Sequence, residues 1–140
     1  MASKYFSDEE LMCHGACQGD CDCGIESAQN VNPRLLELLD QLRENVGGPL
    51  SLSCAYRCES HNAAVGGCAN SQHVQGNAAD VLCPDYLTIG QLKWYVEQLP
   101  FDGIGYYPLD GYENPEDVSG GFCHVDVREG GVGAGYYWEG

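Results

Sequence analysis

His73 and Asp80 stand in the stretch Ser71-Gln72-His73-Val74-Gln75-Gly76-Asn77-Ala78-Ala79-Asp80, with six residues between them. A second imidazole, His124, lies far along the chain in Gly121-Phe122-Cys123-His124-Val125-Asp126-Val127-Arg128. Two imidazoles and one carboxylate make a three-donor set for zinc, which leaves one tetrahedral position open for water. An open position suits hydrolysis rather than scaffolding. His73, Asp80 and His124 are therefore the candidate metal ligands. Either histidine alone would pass as an ordinary surface or hydrogen-bonded residue; the joint pattern with Ser71, Gly76 and Asp80 favours the metal. His14 and His61 keep the ordinary reading.

Such donors must be held by rigid elements. Leu35, Leu36, Leu38, Leu39, Leu42 and Val46 recur at helical spacing, with Asn32 as cap, Pro33 at the first helical position and Gly47-Gly48 as the stop. A shorter amphipathic segment over residues 5–12 has Ser7 as N-cap and Glu10 in the capping-box position. Pro49 to Tyr56 alternates like a half-buried strand that delivers Arg57 to its end, and Ala78 to Cys83 reads as an apolar strand that carries Asp80. His73 falls on a loop, after a short helical turn from Cys58. Thr88 to Leu99 is a second helix, with Thr88 as cap and Pro100 as terminator. Phe101 to Pro108 and Phe122 to Arg128 complete the strands. Period two puts Phe122, His124, Asp126 and Arg128 on one face of the last one. The glycine-rich tail with Tyr136, Tyr137 and Trp138 is a strand candidate or a loose end.

Composition narrows the class. At 140 residues the chain has room for one core and reads as a single domain over 1–140, with residues 1–31 a Cys-rich segment packed on it. Twenty-one acidic residues against six basic ones give a formal charge of -15, which excludes nucleic acid as a partner and disfavours anionic membrane surfaces. No apolar run approaches the roughly 18 residues that a membrane-spanning helix needs, so no membrane insertion is expected. The first ten residues lack the apolar region of a secretory signal, which fits a protein made without one, as phage lysis enzymes often are, or a trimmed chain. A monomer is expected.

Nine cysteines suggest an oxidising destination or metal chelation. Cys13, Cys17, Cys21 and Cys23 crowd together beside His14. Disulfides or free thiols are favoured there over a second, structural zinc, because the paired CxxC knuckles of zinc modules are missing.

Several motifs in series carry a family resemblance: Ser53-Cys54-Ala55-Tyr56-Arg57; Asn62-Ala63-Ala64-Val65-Gly66-Gly67; Asn70-Ser71-Gln72-His73 with Gly76, Ala79 and Asp80; Gly103-Ile104-Gly105-Tyr106-Tyr107-Pro108; and Phe122 to Arg128. Together with the lead-in Phe6 to Leu11 and the helix from Asn32 to Val46, this series resembles the zinc D-alanyl-D-alanine carboxypeptidase family of peptidoglycan peptidases, over nearly the whole chain. The resemblance implies an α+β fold shared with lysostaphin-type peptidases and hedgehog amino-terminal domains, a small antiparallel sheet flanked by helices with zinc on its open face. It implies His73, Asp80 and His124 as zinc ligands and the stem peptides of bacterial peptidoglycan as partner, cleaved at D-Ala-D-Ala or within a cross-link as an endolysin does. Action at the bacterial cell wall follows, whether the protein is secreted or phage-delivered.

Arg57 matches the family arginine that binds a substrate carboxylate or carbonyl, a role suited to the guanidinium fork; its bland alternative is a surface salt bridge. Ser71 either orients the site or caps the turn. Relatives often carry a glutamate base three residues before the last histidine, where this chain has Gly121. Asp126, on the face of His124, is the nearest substitute, as general base or as a partner behind the ligand. Alternatively Asp126 ligates zinc and His124 is the acid/base. Tyr106, with Tyr107 and Tyr112, is a candidate for the substrate groove or for the core. Cys54-Ala55 replaces a common Ser-Gly, and a disulfide is the expected reason. Two further readings are a hedgehog-like zinc module without hydrolysis, supported by the absent glutamate, and a disulfide-framed virion component.

Overall fold

Asn32 begins the longest helix by accepting the Arg34 amide hydrogen on its side chain at 2.9 Å, with Pro33 in the first turn. The computed structural model describes residues 3–13, 25–58, 72–128 and 136–139. Helix α1 covers Asp8–Leu11, α2 Pro33–Val46 and α3 Ile89–Glu97. Helix α2 ends where Gly47 takes a φ of 78°, the left-handed conformation that a C-terminal glycine adopts without strain. Its stripe of Leu35, Leu36, Leu39 and Leu42 is buried. Each such leucine contributes about 1.5–3 kcal/mol by leaving water. Helix α3 is opened by a full capping box: Thr88 accepts the Gln91 amide, and the Gln91 side chain accepts the Thr88 amide. It buries Ile89, Leu92 and Val96.

The strands are β1 Leu52–Cys54, β2 Ala78–Leu82, β3 Gly103–Tyr107, β4 Phe122–Asp126 and β5 Tyr136–Glu139. They form one sheet in the order β1-β2-β4-β3-β5, antiparallel throughout except for the β3–β5 pair, which is parallel. Alternation sorts β2 and β4 cleanly. Ala79, Val81, Cys123 and Val125 face the leucines of α2 and the apolar side of α3 in one core. Asp80, His124 and Asp126 face the other way. The architecture is the expected α+β one, a small sheet with helices on one side. No described helix is long and apolar enough to cross a membrane.

Residues 3–13 are fastened to this frame. The Asp40 carboxylate on α2 accepts hydrogen bonds from Ser3 Oγ and from the Lys4 and Tyr5 amides, and Phe6 is buried. Glu10 does not complete a capping box. It accepts the Leu52 amide at 3.2 Å and so ties α1 to β1. His14, Cys17, Cys21, Cys23, His61, Ser71 and most of the expected helical turn after Cys58 lie outside the described residues.

Candidate metal centre

The register of the central strands builds the site. Asp80 on β2 pairs directly with His124 on β4, and Ala78 with Asp126. Directly opposed residues of an antiparallel pair share a face, so Asp80, His124 and Asp126 project from the same side. His73 reaches them from the turn over residues 72–76, which ends at Gly76 with φ 76°. A Cβ at Gly76 would run into the Asn30 carbonyl oxygen, so only glycine lets the turn pack there. His73 is pinned by the segment just after β1 as well: its carbonyl accepts the Arg57 amide at 3.2 Å, and its Nδ1 lies 2.8 Å from the Ala55 carbonyl oxygen.

These contacts assign the imidazole nitrogens. A carbonyl can only accept, so His73 Nδ1 carries the hydrogen and, in the neutral ring, the lone pair is on Nε2. Nε2 lies 3.2 Å from Asp80 Oδ1. The arrangement is mirrored at His124, whose Nε2 donates to Asp126 Oδ2 at 2.9 Å while Nδ1 lies 3.1 Å from the same Asp80 Oδ1. The rings meet edge to face with centroids 5.1 Å apart. His73 Nε2 and His124 Nδ1 thus both lie against one Asp80 oxygen, each ring held from behind by another oxygen. This is how metal-ligating histidines are oriented, and the two-imidazole, one-carboxylate set fits zinc.

The electrostatics of the metal-free centre agree. Burial would lower the pKa of His73, but hydrogen bonds to Asp80 and Cys54 and the charge of Asp80 outweigh it and push the value up to about 10. His124 is likewise raised against its burial, by Asp126 and then Asp80. Burial opposes ionisation of Asp80, yet His124 and His73 hold it well below the usual carboxylate range. Such a cluster either retains extra protons or exchanges them for a cation.

Asp126 is fully buried, and its carboxylate is already engaged. Arg128 donates from Nε to Oδ1 at 2.8 Å and from NH2 to Oδ2 at 2.6 Å, a two-pronged ion pair. Burial notwithstanding, that arginine and then His124 hold the Asp126 pKa near 2, lowered to about 2. Gly103 opposes Asp126 on β3, and any Cβ there would strike this carboxylate and the guanidinium.

Other expected site residues fall differently. Tyr106 is buried in the core on the face opposite His124, with the Lys93 ammonium 5.1 Å from its ring centre. Its neighbour Tyr107 opposes Phe122 on the face of His124, and the two rings stack 4.6 Å apart. Tyr112 is exposed in the loop before β4. Arg57 lies next to the site through its backbone contact with His73. Gly121 has φ 74°, and a Cβ there would collide with the Tyr107 carbonyl oxygen, so this backbone has no room for a glutamate at that position.

Cys54 corrects an expectation. No disulfide joins any two of the described cysteines, and Cys54 is a free thiol. It sits opposite Asp80, with Sγ 3.6 Å from His73 Nδ1. Among the described residues, Cys54, His73 and Asp80 offer three donor atoms within 4.8 Å of one another. Sequence reasoning passed over Cys54 as a donor, although its place beside the Tyr-Arg pair was a usable signal.

Peptidase M15 is the description of the family model that matches residues 4–113. The chain belongs to this family of zinc-dependent, D-alanyl-D-alanine carboxypeptidase-like peptidases that act on cell-wall peptidoglycan. No curated protein matches the chain. The matched span contains Arg57, His73 and Asp80 and ends before β4; His124 and Asp126 lie beyond it and are brought beside Asp80 by strand register and their hydrogen bonds.

Proposed function

We propose that this chain is a zinc peptidase that hydrolyses an amide bond in the stem peptide or cross-link of bacterial peptidoglycan, with His73, Asp80 and His124 as the metal ligands. The observation that carries this reading is the convergence of His73 Nε2 and His124 Nδ1 on one Asp80 oxygen, at 3.2 and 3.1 Å. Bound zinc supplies Lewis acidity toward the amide carbonyl and acidifies water. The protein's part is positional. Asp80 is held by the sheet, the Ala55 carbonyl aims His73, and Asp126 aims His124. Because Arg128 occupies the Asp126 carboxylate, Asp126 acts as a positioning residue rather than as a proton acceptor for water. Arg57 anchors a substrate carboxylate beside the cleaved bond, with Ser71 assisting at the turn. Tyr107, sharing the face of His124, is better placed than Tyr106 to touch the peptide.

The working unit is taken as the whole chain, a monomer acting at the cell wall, with residues 1–31 packed on the catalytic part. A disulfide framework and a Cys13, Cys17, Cys21, Cys23 zinc are not needed for this chemistry. A second reading, a zinc module without hydrolysis, is favoured by one observation, the collision that bars any side chain at Gly121. Zinc stoichiometry and digestion of defined muropeptides, read by mass spectrometry, separate the two. One zinc with release of D-Ala or of split cross-links supports the peptidase and names its bond. One zinc with no product at high enzyme concentration supports the silent module.

A further inference from the structure

The face of the sheet that carries His124 opens in steps along the strands. Ala78, Asp126 and Gly103 form one row across β2, β4 and β3, and all three are buried. In the next row Asp80 and His124 keep 15 and 12 % of their side chains exposed. One row further, Leu82, Phe122 and Tyr107 stand side by side. Leu82 is 40 % exposed, Phe122 and Tyr107 are half-buried, and the two rings stack with their planes 7° apart. The His124 row is thus closed toward Asp126 and opens over an apolar shelf that carries no charged side chain. Strand β1 gives the shelf a direction. The Ser51 carbonyl accepts the Leu82 amide, and past a register irregularity Cys54 stands opposite Asp80, so β1 leads away from Leu82. The Arg57 amide then bonds His73, in the turn that enters the Ala78 end of β2. The Arg57 backbone and the shelf therefore lie on opposite sides of the His124 row.

We infer that Leu82, Phe122 and Tyr107 form the subsite for the substrate residue that supplies the cleaved carbonyl, and that they select an uncharged, apolar side chain there, such as the methyl group of D-Ala. The inference rests on the peptidase reading above and deepens it: the carboxylate of the departing residue goes to Arg57, and the residue on the acyl side goes to the shelf. Rows two residues apart on a strand are separated by about 7 Å. A peptide carbonyl brought to His124 therefore has its own side chain within reach of the shelf. An apolar side chain laid there takes Leu82 and the ring faces out of water, which favours binding. A carboxylate in the same place gives up its hydration to hydrocarbon, which disfavours it.

The test uses the zinc-loaded full chain and two synthetic stem peptides, identical except that the residue supplying the cleaved carbonyl is D-Ala in one and D-Glu in the other, each followed by a C-terminal D-Ala. The wild type is expected to favour the D-Ala peptide in kcat/KM by about tenfold or more. Leu82→Lys, made at an exposed position, sets an ammonium beside the D-Glu carboxylate, and the preference is expected to fall by about tenfold or more. Leu82→Met is expected to keep it. A wild type without preference, or a preference that Leu82→Lys leaves unchanged, overturns the inference. Leu82→Ala gives a second reading should the lysine disturb folding: KM for the D-Ala peptide is expected to rise about fivefold, and an unchanged KM overturns the inference. A wild type that splits cross-linked muropeptides but cuts neither synthetic peptide overturns this subsite and leaves the peptidase standing. A zinc-bound wild type that yields no product from any of these substrates overturns both.

Discussion

Asp126 accepts a hydrogen bond from His124 Nε2 at 2.9 Å from a fully buried position. The same carboxylate is gripped by both prongs of Arg128, so the aspartate links a surface-reaching arginine to the orientation of an imidazole.

Replacing Asp126 with Asn should therefore weaken zinc binding by about 10–100-fold, the usual effect of removing a carboxylate behind a ligating histidine. Competition against a chromophoric chelator measures it. Full zinc affinity with turnover abolished would instead make Asp126 the base. Arg128→Ala leaves a buried carboxylate without its ion-pair partner and should cost about 3–5 kcal/mol in urea unfolding.

With His73 and His124 as the proposed ligands, protons and metal compete for the same nitrogens. The His73 value, up to about 10 without metal, lies above its unfolded value of 6.5. In chelator-treated protein the stability from this group is complete below about pH 6.5 and is lost as pH rises toward 10. Zinc affinity runs the other way, rising about tenfold per pH unit for each proton displaced over that window. Thermal unfolding against pH, with and without zinc, should show the two opposite slopes.

Gly76→Ala should be costly. The left-handed backbone alone disfavours a side chain by about 1–2 kcal/mol, and a collision with the Asn30 carbonyl adds to it. The turn that presents His73 must shift, so the melting temperature and zinc affinity should fall together. A variant that loses stability with unchanged zinc affinity would separate the turn from the centre.

Cys123 is completely buried, and burial pushes its thiol up to about 12. At pH 8 it should resist iodoacetamide in the folded protein and react only after denaturation. Peptide mapping of alkylated protein checks this, and rapid native labelling would mean that the core side of β4 opens.

Local signals were legible wherever the physics is local. Helix α2 follows from its leucine spacing, the Asn32 cap and the Gly47 stop, and Thr88 with Gln91 announces α3. His73, Asp80 and His124 could be named because a sparse set of donor types recurs among few histidines. Pairing between distant strands decided the rest. Which of Tyr106 and Tyr107 faces His124 depends on the β3–β4 register, and period two leaves that phase open. The irregularity that turns Cys54 toward Asp80 has no marker in Leu52-Ser53-Cys54. Asp126 and Arg128 were recognisable as neighbours on one face, but their two-pronged ion pair depends on the space left by Gly103. Strand ends also fell short: Pro49 to Tyr56 alternates throughout, yet only Leu52–Cys54 finds a partner strand.

Asp40 moors the chain near Ser3 through three hydrogen atoms at once. A deletion series should accordingly show a threshold rather than a gradual decline. Shortened proteins that keep Ser3 retain the mooring. Those cut past Tyr5 strand a carboxylate, and those cut past Phe6 also uncover the hollow it fills, which makes this boundary the natural limit for trimming or for fusing a tag.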